Sequence, residues 1–278
     1  MYSRTLSLLA FLYLAVISMP AQAQHRLEEL WHTDPVFSYA VGVTASPDGR
    51  FLYVSNTIGN PVQKDGKGSI SKVGSNGKII QKDWLTGLNA PKDIRIFGDR
   101  MYVADLDEVL VVDMNKAAVM QRIPVEGAQF LHNLAVDAQG TVYVSDMFQG
   151  RVHRIKQGKA EMYLEGLPAA AGVLPEGPDL YVLSNGQLLK IDSGRKRTTI
   201  SEGMDHRMNG LQQINGEDFL VTSWGGIVYY VHADGTRQEL LNTISKDIPA
   251  GIICYDEKQK ILYMTSDQHN VLYAYRVK

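Results

Sequence analysis

The chain has 278 residues, a formal net charge of −2 at pH 7, 45% hydrophobic residues and one cysteine. So even a charge balance, with no basic stripe, argues against nucleic acid or an anionic membrane as a partner. A single Cys254 rules out an intramolecular disulfide, and its place between Ile253 and Tyr255 makes it a small core residue of a strand.

The N-terminal stretch reads as a secretory signal peptide. Arg4 precedes the apolar run Leu6 to Ser18 and the Ala-Gln-Ala pattern ending at Ala23, a run too short and wrongly flanked for a membrane span. The chain is therefore expected to divide into a leader, residues 1–23, and one folded unit, residues 24–278, that is periplasmic or secreted.

The next predicted element, Arg26 to Trp31, has the composition of the outer strands Ala160 to Leu164 and Arg237 to Leu241. After it a hairpin unit recurs, an apolar run, a Gly turn and a second apolar run, clearest in Phe130 to Gly150. Its copies end at Asn56, Asp105, Asp146, Asn185, Trp224 and Asp267, spaced 49, 41, 39, 39 and 43 residues apart. A period near 40 built only of strands and turns indicates a β-propeller, here all-β with six blades. Turns at Asn76-Gly77, Asn115-Lys116, Gln157-Gly158, Ser193-Gly194 and Asp234-Gly235 supply a second hairpin to each of the first five blades. The sixth has only Val271 to Lys278 left, so the N-terminal strand is expected to complete it and close the ring. The longest spacing comes from an insertion, Thr57 to Gly68, which is either a solvated connector or a lip over the mouth of the channel.

In a propeller the first strand of each blade lines the channel, and the second returns beside its start. One mouth should therefore collect Lys92, Asp93, His132, Asn133, His206, Arg207, Asn209 and Trp224. Amide oxygens and a carboxylate suit Ca²⁺, whereas His132 suits a softer metal or a proton transfer; alternatively the polar groups satisfy one another and ordered water. Trp224 either stacks on a ligand ring or packs between blades. The repeated Asn and Asp residues at the strand ends read as turn formers that accept backbone N–H groups. Motifs of serine hydrolases, zinc proteases and nucleotide hydrolases are missing from the sequence.

Leu88-Asn-Ala-Pro-Lys-Asp93, Asn133-Leu-Ala-Val-Asp137 with Tyr143-Val-Ser-Asp146, and Met208-Asn-Gly-Leu211 with Ser223-Trp224 resemble the gluconolactonase, regucalcin (senescence marker protein) and luciferin-regenerating-enzyme family of six-bladed propellers. The stretch Lys64 to Lys72 is similar to one in secreted bacterial members. The resemblance implies a sugar-lactone hydrolase holding one divalent cation, Ca²⁺ or Zn²⁺, through a Glu, two Asn and an Asp. Here the Glu position aligns with Ala40-Val41-Gly42 and the Asp position with Pro249-Ala250-Gly251. Asn209 fits one amide position, and the other falls on His132 or Asn133. A hard dication would thus meet only neutral dipoles, and no carboxylate remains to activate water. The favoured expectation is an exported propeller that binds a small polar molecule or a partner's loop at Lys92, His132, Asn133, Asn209 and Trp224. The alternative is a metal-dependent lactone or ester hydrolase using His132 as base or ligand with Asn133 and Asn209. A third reading is a scaffold that captures partners through its rim and the Thr57 to Gly68 loop.

Overall fold

A computed structural model describes residues 24–278; the signal peptide read at 1–23 lies outside them. Six four-stranded antiparallel sheets follow one another around a ring. The first strand in sequence, β1 (Leu27–His32), belongs to the last blade. Blade one holds β2 (Ala40–Ala45), β3 (Phe51–Asn56), β4 (Gly68–Gly74) and β5 (Ile79–Leu88), and blade two β6 (Pro91–Phe97), β7 (Arg100–Asp105), β8 (Glu108–Asp113) and β9 (Ala118–Pro124). Blade three holds β10 (Leu131–Val136), β11 (Val142–Asp146), β12 (Arg151–Lys156) and β13 (Lys159–Leu164), and blade four β14 (Val173–Glu176), β15 (Asp179–Ser184), β16 (Gln187–Ile191) and β17 (Arg197–Ser201). Blade five is β18 (Met208–Ile214), β19 (Asp218–Ser223), β20 (Ile227–Val231) and β21 (Arg237–Asn242); blade six is β22 (Ile253–Asp256), β23 (Ile261–Ser266) and β24 (Val271–Val277).

The outermost position of blade six is filled by β1, paired antiparallel with β24. Arg26 and Lys278 exchange both backbone hydrogen bonds at 3.0 Å, so the two ends meet as the outer-strand reading expects, and β24 is paired on both sides. Among the described residues no helix is long and apolar enough to cross a membrane.

The core is six apolar layers, one between each pair of neighbouring blades. Blades two and three, for example, bury Val109, Val111 and Ile123 against Leu134, Val142 and Val144, and the closing seam buries Val43, Leu52 and Val54 against Ile261, Tyr263 and Leu272. Cys254 is half-buried beside that seam, as its apolar neighbours in sequence predict.

The inner strands approach so closely that side chains are restricted at the axis. A Cβ on Gly42 would lie 2.4 Å from the Lys92 carbonyl oxygen of the next blade. Hydroxyls bolt these strands together: Ser55 Oγ donates to Lys92 O, Thr222 Oγ1 to Gly251 O at 2.7 Å, and Thr265 Oγ1 to Val41 O at 2.6 Å across the closing seam. Ala104 and Leu183 occupy the same position in blades two and four, so those bolts are missing there.

Candidate functional site

Four inner strands do not pair continuously at their starts. The register breaks between Ala40 and Val43, Pro91 and Ile94, Leu131 and Leu134, and Met208 and Leu211. The residues inside these breaks are Val41 and Gly42, Lys92 and Asp93, His132 and Asn133, and Asn209 and Gly210. A bulge frees its residues from the ladder and re-aims their side chains, and here it turns them to the channel mouth and its wall. In three blades a hydroxyl of the second strand takes up the released N–H: Ser55 Oγ from Gly42, Ser145 Oγ from Asn133 and Thr222 Oγ1 from Gly210.

The mouth encloses a cavity of about 330 Å³. Of the residues read from the sequence, Lys92, His132, His206, Arg207, Asn209 and Trp224 line it. Asp93 and Asn133 do not; both are buried behind the wall. Asp93 accepts backbone N–H groups from Ile94 and Leu134 and pairs with Arg95 at 2.6 Å. Asn133 joins the two layers. Its amide group donates to the Asp93 carboxylate, which leaves its Oδ1 facing His132 Nδ1 at 2.7 Å. Because an amide oxygen only accepts, Nδ1 carries the proton and Nε2 presents a lone pair. Burial, with the Lys92 charge nearby, pushes His132 down to about 4 despite that hydrogen bond, so the ring is neutral at pH 7. Burial also pushes Asp93 up to about 6, against the opposing pull of Arg95.

Lys92 is only 2% exposed. Its Nζ donates to Thr57 Oγ1 at 3.1 Å and to Pro61 O at 3.4 Å and sits 5.2 Å from the Phe130 ring centre. Burial lowers it to about 8, although the charges of Asp105 and Asp267 act the other way. Asn209 Nδ2 donates to Ala250 O at 3.3 Å, while its buried Oδ1 has no partner. His206 and Arg207 stand exposed on the rim, where Asp205 holds the Arg207 guanidinium at 3.2 Å.

Trp224 is half-buried in the wall, and its Nε1 donates to Asp267 Oδ2 at 2.8 Å. The Tyr39 hydroxyl meets the same carboxylate, and burial together with that charge raises it to about 12. Tyr39 holds a left-handed backbone (φ 56°) in which Asn270 Oδ1 accepts its N–H. The sequence reading did not include Tyr39, nor the apolar wall of Phe130, Met147, Phe148 and Met208. Phe130 and Phe148 stack with centres 4.5 Å apart and planes 13° apart.

The strand-end series needs a correction of register. The second strands end at Asn56, Asp105 and Asp146 in blades one to three but at Ser184, Ser223 and Ser266 in blades four to six; Ser223 pairs with Met208 as Asp105 pairs with Pro91. Asp105 and Asp146 are the turn formers expected, accepting the N–H groups of Asn89 and Ala90 and of Gln129 and Phe130. Asn185, Trp224 and Asp267 lie one residue further on. That displacement carries Trp224 and Asp267 into the cavity, alongside Met147 at the equivalent place in blade three. The Thr57 to Gly68 insertion is a lip: Pro61 lines the cavity, and Lys64 ties the loop to Asp107 of blade two at 2.7 Å.

No family model and no curated protein matches the sequence. Solved structures do. A gluconolactonase from Xanthomonas campestris superposes with a TM-score of 0.70 at 14% identity, covering 87% of each chain. A virginiamycin B lyase from Staphylococcus aureus gives 0.63 at 13%, over 91% of this chain and 99% of its own. A streptogramin B lyase gives 0.66 at 12%, over 91% and 98%. At such identities the likeness shows the six-bladed fold.

Proposed function

We propose that this protein is an exported, gluconolactonase-like propeller that binds a small molecule at the channel mouth without the divalent cation that the resemblance implies. The observation that carries the reading is the cavity itself, whose wall holds a buried ammonium (Lys92) and a buried amide oxygen (Asn209 Oδ1) with no carboxylate or donor from the protein satisfying them. Buried polar groups left this way are costly unless something else completes them.

The donors do not fit a dication. On the resemblance, Val41 and Ala250 align with the two carboxylate positions; Asn133 Oδ1 is engaged by His132, and the Lys92 charge opposes a second cation in the same wall. Asp267 is the carboxylate that lines the cavity, and Trp224 and Tyr39 already hold it. The test is purified protein assayed on a panel of aldonolactones with and without added Ca²⁺ or Zn²⁺, alongside equilibrium binding in EDTA. Binding that survives EDTA, without turnover, is expected; metal-dependent hydrolysis would overturn the proposal.

One observation favours the hydrolytic alternative. The Asp93, Asn133 and His132 chain fixes a tautomer whose Nε2 can accept a proton in the cavity, the arrangement a general base needs. On that reading His132→Ala abolishes lactone or ester hydrolysis while the fold survives. Unchanged turnover in that variant removes His132 from any mechanism.

A further inference from the structure

The binding reading can be taken one step further, to the class of ligand. We propose that the cavity takes a planar aromatic carboxylate that also carries a hydrogen-bond donor: the carboxylate on Lys92, the ring against Phe130 and Phe148, and the donor on Asn209 Oδ1. This rests on the binding reading and adds to it a charge, a shape and a second polar contact.

The charge comes first. Lys92 Nζ has two neutral oxygens as partners, and no carboxylate of the described residues lies within ion-pair distance of it. Arg207 on the rim is already matched by Asp205, and Asp267 has the Trp224 and Tyr39 donors. The cation left without an anionic contact is therefore Lys92, in a wall where a charge is poorly solvated.

The shape follows from the wall. The Phe130 and Phe148 rings form a stacked step beside Lys92, with Phe148 60% exposed, and Met147, Met208 and Trp224 continue the apolar surface. A sugar acid would leave this surface wet, whereas a flat ring covers it and stacks. Asn209 supplies the last constraint. It is 4% exposed, its amide nitrogen is used, and its oxygen accepts nothing, so a ligand that donates there gains a hydrogen bond that one lacking a donor does not.

Titration calorimetry at pH 7 with 4-(hydroxymethyl)benzoate, its neutral amide, benzoate and gluconate tests the class. The hydroxymethyl acid should bind at least tenfold more tightly than each of the other three. Lys92→Met should bring the acid down to the level of the amide, and Asn209→Leu should bring it down to the level of benzoate. A second measurement needs no variant. Raising the pH from 7 to 9.5 should weaken the acid about tenfold or more as Lys92 loses its proton among Asp105, Asp267 and His132, which face it, and should leave the amide unaffected. Equal affinity for acid and amide, or preference for gluconate, overturns the ligand class while small-molecule binding stands. No binding of the acid also overturns it; the binding reading falls separately, through metal-dependent lactone turnover.

Discussion

Replacing Lys92 by methionine should make the protein more stable at neutral pH, because the native fold holds this ammonium where it is disfavoured. Its proton affinity falls from the ordinary lysine value of 10.5 to about 8 on folding, because the ammonium is buried. A gap of that size corresponds to roughly 3 kcal/mol, and at 2% exposure solvent screening removes little of it. The sign is fixed by the direction of the shift. Below about pH 8 both states carry the proton and the whole cost is present; between 8 and 10.5 the native state has lost it while the unfolded chain still binds it, so wild-type stability rises with pH across that window. Methionine retains the stem packing but leaves Thr57 Oγ1 and Pro61 O without their donor, a loss of about 1 kcal/mol. The net gain at pH 7 is about 2 kcal/mol, or roughly 4–8 °C in Tm for a domain this size. Denaturant titrations at pH 7 and pH 10.5 check both halves: the variant should lead at pH 7 and lose its lead at pH 10.5. A variant less stable than wild type at pH 7, with wild type flat from pH 8 to 10.5, refutes the reasoning.

Acid should act on a second pair. His132, lowered to about 4, costs stability as the pH falls from 6.5 to 4, and Asp93, raised to about 6, returns stability as the pH falls from 6 to 3.8. His132→Gln removes the first effect alone, so from pH 6.5 to 4 the variant should gain stability relative to wild type; parallel denaturant midpoints for the two proteins across that range contradict the assignment. Thr265→Val removes the bolt to Val41 O across the closing seam and should cost about 1–2 kcal/mol, with a change under about 0.5 kcal/mol in thermal unfolding counting against a structural role. Gly42→Ala places a Cβ 2.4 Å from a backbone oxygen and should lower stability by about 2 kcal/mol or more. Gly66→Ala, at φ 69° in open space, should cost only about 1 kcal/mol; equal losses would show that the axial contact relaxes.

The architecture was legible because it is repeated. A hairpin that recurs six times, each copy with an alternating apolar face, leaves few folds in which every face is buried, and the short sixth blade points to the strand that must complete it. The hydroxyl bolts were equally present in the letters, as Ser55, Thr222 and Thr265 just before the strand ends. A hydroxyl at a strand end reads as turn chemistry until the neighbouring blade's carbonyl is in view. The one-residue displacement in the later blades also left a mark: Tyr-Val-Leu-Ser-Asn185, Leu-Val-Thr-Ser-Trp224 and Tyr-Met-Thr-Ser-Asp267 each carry one residue more than Tyr-Val-Ser-Asp146. Aligning the terminal Asn and Asp letters absorbed that extra residue and hid its effect on direction.

The site was legible only in part, since its polar and apolar members are placed by different means. Lys92, His132 and Asn209 were found because strand starts converge on a channel, yet the same rule drew in Asp93 and Asn133, which share their register breaks and point behind the wall. Each break releases two consecutive residues that face opposite ways, so a rule that locates the break names both and separates neither. Phe130, Met147 and Phe148 come from the segments flanking β10 and β11, where an aromatic residue in a loop carries no pattern of its own. With the apolar wall in place, the polar groups left without a charged or donating partner are the Lys92 ammonium, the Asn209 oxygen and the His132 Nε2 lone pair, and on the proposed binding reading selectivity comes from leaving the first two unsatisfied by any ligand that lacks their complements.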